Sequence, residues 1–147
     1  MGLNENAIFI DTSFFKALID ADDDFHPQAV DIWKGIIKNK ISLITTNFIL
    51  DETFTLIRVR NGLAAALEFK DKLAEGLRRI KLIRVMIQDE ANAWNWFSND
   101  WRDLSFTDCV SFAVMKRLGI DSVAAFDKHF ARAGFKLISS SYTPATH

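Results

Sequence analysis

A single cysteine, Cys109, stands among 147 residues. No intrachain disulfide can staple this chain, so the fold must rest on its core. The lone thiol suits a reducing compartment, and its place inside an apolar helical pattern predicts a buried, inert group. An excess of one charge is also missing: 18 Lys and Arg stand against 19 Asp and Glu, a formal net charge of −1. No global positive field exists to hold nucleic acid, so any such contact must use a local patch and be sensitive to salt. No apolar run approaches the length that crosses a bilayer. The N-terminus has no basic region followed by an apolar core, and Asn6 stands where a myristoylation signal opening on Met1-Gly2 would want Ser or Thr. A cytoplasmic location without a membrane partner is the expectation. What the chain does have is apolar bulk, 49% of residues with 13 Phe and four Trp, enough to build one domain around a sizeable core.

Short apolar runs alternate with helical patterns. Ala7 to Ile10 is a continuous apolar run, the mark of a strand buried on both faces. Asp11-Thr12-Ser13 offers N-cap chemistry to a short helix over Phe14 to Ile19. After an acidic turn from Asp20 to Asp24, Pro27 suits the first turn of a helix with the stripe Ala29, Val30, Ile32, Trp33, Ile36 and Ile37. Further strands are expected at Ile41–Thr45, Lys81–Val85, Ser122–Ala125 and Lys136–Ile138. Helices are expected over Asn47–Arg60, from Leu63 to near Leu77, over Ile87–Phe97 with Ala91, Trp94 and Phe97 on one side, and over Phe106–Leu118, where Gly119 is placed to end the helix. Residues 1–138 then form one domain and 139–147 a loose tail. This alternation implies an α/β fold, a three-layer α/β/α sandwich on a five-stranded parallel sheet. Right-handed crossovers put the strand C-termini along one edge, where ligands bind in such sheets.

Four acids interrupt apolar segments without a local cation to neutralise them. They are Asp11 in Ile-Phe-Ile-Asp-Thr-Ser, Glu52 in Phe-Ile-Leu-Asp-Glu-Thr, Asp108 in Leu-Ser-Phe-Thr-Asp-Cys, and Asp127 in Ala-Ala-Phe-Asp-Lys-His-Phe. Asp11 follows the first strand and Asp127 the fourth, while Glu52 and Asp108 lie early in helices. An ionised carboxylate among apolar neighbours is costly unless something compensates it. Asp11, Asp127 and Asp108 each also fit a helix-cap reading, Asp108 through a Ser105-x-x-Asp108 capping box. Caps and site are compatible, because helix starts lie at the functional edge. Four converging acids would repel one another. A hard divalent cation, Mg²⁺ or Mn²⁺, relieves that repulsion, and its chemistry is phosphodiester hydrolysis by activated water. Thr12 and Thr107, each beside an acid, serve either to orient a carboxylate or water, or as caps.

Other groups carry less. The acidic turn lacks the spacing and closing Glu of an EF-hand. His26 and His129 have no partner at zinc-ligand spacing. Trp94, Trp96 and Trp101 resemble a base-stacking set, but 94 and 96 point to different helix faces, which favours packing. Arg58, Arg60, Lys116 and Arg117 sit near the ends of the helices that carry Glu52 and Asp108, as candidate phosphate contacts or as solvated charges.

In this order, Ile10-Asp11-Thr12-Ser13, Asp51-Glu52-Thr53, Ser105-Phe106-Thr107-Asp108-Cys109 and Phe126-Asp127-Lys128-His129-Phe130 resemble a PIN domain, and most closely the VapC-type toxins of toxin–antitoxin pairs. The resemblance spans residues 7 to 138. It implies a five-stranded parallel sheet flanked by helices, and an acidic quartet at Asp11, Glu52, Asp108 and Asp127 that uses Mg²⁺ or Mn²⁺ to cleave RNA. A homodimer and a cognate antitoxin are the implied partners. The rival from another class is a protein-binding module with a vestigial site, against which the intact quartet argues. A haloacid-dehalogenase phosphatase would need Asp where Ser13 stands. A response-regulator receiver would need paired acids at strand one and a Lys after the last strand.

Overall fold

The computed structural model describes residues 6–76 and 79–139. The expected helix end at Leu77 and the expected tail, Ser139 apart, lie outside them. Five strands and seven helices are found among the described residues. In chain order these are β1 (Ile8–Ile10), α1 (Thr12–Ile19), α2 (His26–Lys38), β2 (Leu43–Thr46), α3 (Asn47–Asn61), α4 (Leu63–Gly76), β3 (Ile80–Ile83), α5 (Ile87–Phe97), α6 (Phe106–Leu118), β4 (Ser122–Ala124), α7 (His129–Arg132) and β5 (Lys136–Leu137). All pairings are parallel, and the strand order is β3-β2-β1-β4-β5.

That order explains the layers. The chain steps outward from β1 through β2 to β3, then returns past β1 to β4 and β5. Right-handed crossovers in opposite directions put α1 to α4 on one face and α5 to α7 on the other. Every residue of β1 and β2 is buried, because helices cover both faces of these central strands. Phe9, Phe14, Phe112 and Phe130 are fully enclosed, and each such burial contributes roughly 1.5–3 kcal/mol. Cys109 is also fully buried, and burial pushes its thiol up to about 12.

Element edges depart from the sequence pattern for local reasons. Ile41 closes the end of α2, its N–H donating to the Ile36 carbonyl at 3.2 Å, so β2 begins later, at Leu43. β3 stops at Ile83 because the Val85 N–H turns to the Asn47 side-chain oxygen at 2.8 Å. Gly119 ends α6 as expected, at φ +69°, where a side chain would be strained. The Ala91, Trp94 and Phe97 side of α5 faces outward, with Trp94 55% exposed; Asp89 and Ala93 are the buried residues.

Asp89 accounts for that orientation. Its carboxylate accepts two hydrogen bonds from Arg117 of α6, both 2.8 Å, and one from the Met86 N–H at 2.9 Å. Burial opposes its ionisation, but these bonds prevail and hold its pKa below the ordinary value. The pair fastens the start of α5 to the end of α6.

Candidate active site

Adjacent connections leave β1 and β4 toward opposite faces, which opens a crevice at their C-terminal ends. Asp11 follows β1 directly and caps α1: its Oδ2 accepts from the Ser13 N–H at 3.1 Å and the Ser13 hydroxyl at 2.6 Å. The Ser13 Oγ in turn accepts from the Phe126 N–H at 2.9 Å. One hydroxyl therefore ties the end of β1 to the loop after β4, next to Asp127. The other Asp11 oxygen, Oδ1, is buried without a hydrogen-bond partner.

Asp108 occupies the third position of α6 within the expected capping box. Its N–H donates to the Ser105 hydroxyl at 3.0 Å, and its Oδ2 accepts a long 3.5 Å bond from the Ser105 N–H. Asp127 accepts from the His129 N–H at 2.9 Å as α7 starts. Glu52 lies half-exposed in the second turn of α3, with no ion pair among the described residues. Cap and cluster thus coexist: each capping carboxylate still faces the others.

Electrostatics register the convergence. Burial, opposed by the Ser13 hydrogen bonds and reinforced by the charges of Asp127 and Glu52, raises the Asp11 carboxyl to about 6. Burial, then the charges of Asp11 and Asp127, raises Asp108 to about 9. Both values mark a site that resists carrying its full negative charge. A divalent cation fits this donor set: crowded carboxylates, one with an orphaned buried oxygen, in a crevice open at Glu52.

His129 is the site residue that spacing along the sequence missed. One ligand atom each from Asp108, Asp127 and His129 lies within 4.8 Å of the others. The partners come from α6 and from the loop after β4, so the signal in the sequence is limited to the Asp127-Lys128-His129 step within the Phe126–Phe130 stretch. Burial is nearly complete, at 6% exposure. The Nε2–H donates to the Arg102 carbonyl at 2.8 Å, and the ring stacks parallel to Trp101.

Beside the crevice runs an open groove of about 800 Å³, whose lining includes Phe48, Glu52, Leu56, Val59, Arg60 and Thr107. Arg60 and Thr107 therefore share a surface with Glu52. Arg58 is exposed on another side of α3. Thr12 is buried, its hydroxyl 3.3 Å from that of Thr53, and buttresses α1 against α3. Lys116 and Arg117 stand apart from the acids. They lie at the C-terminal end of α6, eight and nine residues from Asp108 and hence roughly 12 Å or more along the helix. Arg117 is committed to Asp89, and Lys116 lies over the Phe135 ring. On the other flank, Phe25 stacks on Phe126 at 4.6 Å between ring centres. The acidic turn beneath it is organised by Asp20, which hydrogen bonds Lys16 and the Asp22 N–H and is held at about 2 chiefly by Lys16. It is a solvated turn without a metal cluster among the described residues. No helix among them is long and apolar enough to cross a membrane.

Comparisons with known proteins agree with this architecture. The PIN domain family model matches residues 8–136. Over 132 residues the chain is 40% identical to the 23S rRNA-specific endonuclease VapC20 of Mycobacterium tuberculosis, covering 87% of this chain and 95% of that protein. The crystal structure of that VapC20, described as a sarcin–ricin loop cleaving toxin, is similar with a TM-score of 0.79 and 35% identity, covering 90% of this chain and 98% of the other. FitAcB from Neisseria gonorrhoeae, at 12% identity, shares the fold alone, with a TM-score of 0.65 over 92% of this chain and 99% of its own. The chain belongs to the PIN domain family. Within that family it is an endonuclease of the VapC type.

Proposed function

We propose that this protein is the toxin of a toxin–antitoxin pair and hydrolyses RNA with a divalent cation, Mg²⁺ or Mn²⁺, held by Asp11, Glu52, Asp108 and Asp127. The observation that carries this reading is the convergence of these acids on one sheet edge, where Asp11 and Asp108 are raised to about 6 and about 9. When bound, such an ion supplies charge stabilisation and a more acidic water. The chain's own residues do the positioning. Ser13 fixes Asp11 through Oδ2 and leaves Oδ1 buried without a hydrogen-bond partner. Ser105 fixes Asp108 at the head of α6. Glu52, on the groove side, would hold the ion beside the attacking water. Water adds to phosphorus, the scissile P–O bond breaks, and the proton lost by water is balanced by one taken up at the leaving oxygen.

Arg60 is the cation best placed to hold the RNA backbone, since it lines the groove with Glu52. Arg58 is a weaker candidate on a neighbouring face. The relatives' descriptions point to the sarcin–ricin loop of 23S rRNA as the substrate to test first. Exposed apolar residues, Val59, Leu63 and Leu67 on α3–α4 and Met86, Ile87 and Trp94 around α5, support docking of an antitoxin and a second copy of the chain. We assign the nuclease domain to residues 1–138 and the cytoplasm as its location. The test incubates purified protein with 23S rRNA in Mg²⁺, in Mn²⁺ and in EDTA, with Asp108→Asn as control. Metal-dependent cutting that the substitution removes is the expected result; metal-independent cutting, or full activity in the variant, would refute it.

A further inference from the structure

We infer that His129 joins the carboxylates as a nitrogen ligand, so that this site binds Mn²⁺ in preference to Mg²⁺. The inference rests on the proposed metal-dependent function and specifies its centre. It starts from one hydrogen bond. The Arg102 carbonyl can only accept, so Nε2, 2.8 Å away, carries the hydrogen. That leaves Nδ1 to face the acids, 2.8 Å from Asp127 Oδ1 and 3.7 Å from Asp108 Oδ2. It is buried, and its approach to Asp127 does not have the geometry of a hydrogen bond. Nδ1 and the Asp108 and Asp127 oxygens form one cluster of possible ligand atoms, and a cation between them would satisfy Nδ1, which has no hydrogen-bond partner.

The spacing is that of a shared ion. Two ligand atoms at about 2.1 Å from a six-coordinate ion, at right angles, lie roughly 3 Å apart. The observed 2.8 and 3.7 Å bracket that separation. The surroundings are those of a ligating imidazole: the distal N–H is anchored on a backbone carbonyl, which fixes the tautomer and aims the other nitrogen at the ion. Burial and the bond to the Arg102 carbonyl hold the ring, with Trp101 parallel to it at 6.4 Å and the Arg132 guanidinium 4.6 Å from the Trp101 ring centre. Arg102 and Asp103 outside this stack are largely exposed, so the polar groups that face Nδ1 are Asp108 and Asp127. Mg²⁺ is hard, dehydrates reluctantly and favours oxygen; a first-row transition ion accepts imidazole readily. Among such ions, Mn²⁺ also suits a carboxylate-rich site.

The experiment uses full-length protein and Mn²⁺ as the probe. Electron spin-echo modulation of the Mn²⁺-loaded protein should show coupling to a directly bound ¹⁴N, replaced by a ¹⁵N pattern in histidine-labelled protein. That reading needs no substitution. In His129→Gln, whose amide can keep the bond to Arg102, the coupling should vanish. Calorimetry should show the Mn²⁺ affinity falling roughly 10–100-fold, while the weaker Mg²⁺ affinity moves much less. Mn²⁺ bound without nitrogen coupling would overturn the inference and leave an all-oxygen metal site, and with it the proposed function, intact. Mg²⁺ binding at least as tightly as Mn²⁺ would overturn the stated preference. No binding of either ion would overturn both the inference and the metal-dependent function.

Discussion

Replacing Asp11 by Asn removes a charge from a buried crevice while keeping the shape of the side chain. The amide oxygen can still accept the two Ser13 bonds now made to Oδ2, and the amide nitrogen takes the place of the orphaned Oδ1 and can donate to the neighbouring carboxylates. Holding this carboxyl at about 6 rather than 3.8 costs the metal-free fold roughly 3 kcal/mol once it is fully ionised. The sign follows from the raised pKa. Below 3.8 the group is protonated in both folded and unfolded chains and costs nothing; the penalty accumulates as pH rises from 3.8 to 6 and is complete above. In EDTA at pH 8, Asp11→Asn should therefore be more stable than the parent by about 3 kcal/mol, shifting the urea midpoint by about 1.5 M for a slope near 2 kcal/mol per M. At pH 4.5 the advantage should shrink to about 1 kcal/mol. Saturating Mn²⁺ should narrow or reverse the order at pH 8, because only the parent keeps its full set of charged ligands. Urea titrations followed by tryptophan fluorescence read all three conditions. A variant less stable than the parent at pH 8 in EDTA, or a gap unchanged between the two pH values, would refute the claim that the site strains the fold for function.

Three further outcomes are expected. Asp108→Asn should lower RNA cleavage on the order of 10²–10⁴-fold, the scale of losing a group that acts in the transition state, with an unchanged far-UV circular dichroism spectrum. Arg117→Met should destabilise the protein by roughly 3–5 kcal/mol by leaving the buried Asp89 unpaired, and the affinity of still-folded protein for RNA, measured at low temperature, should not change. Arg60→Ala should weaken RNA binding and reduce the salt dependence by about one ion released, while Arg58→Ala does less; equal effects would place the backbone elsewhere.

Elements set by short-range chemistry are legible in the sequence, and those set by distant partners are not. Strands β1 and β2 are buried on both faces, so their apolar runs announce them without tertiary context. The α6 capping box and the glycine that ends the helix are local chemistry and were equally legible. The outward face of α5 was not, because an apolar stripe does not say which side a buried ion pair will pull inward. Arg117 reads from the sequence as a phosphate contact or a solvated charge on the helix that carries Asp108; only the packing of α5 on α6 reveals its partner 28 residues away. Thr12, adjacent to Asp11, meets Thr53 across 41 residues, a contact no local pattern announces.

By itself the sequence determined the α/β alternation, the parallel sheet it requires, and the four acids stranded in apolar segments, because period, propensity and the cost of a buried charge are properties of short stretches. Tertiary structure alone decided which nitrogen of His129 faces the acids, that Ser13 clamps Asp11 to the loop after β4, and which arginine shares the groove with Glu52. These contacts join residues from separate crossovers at one sheet edge, and their geometry exists only once the strands have paired.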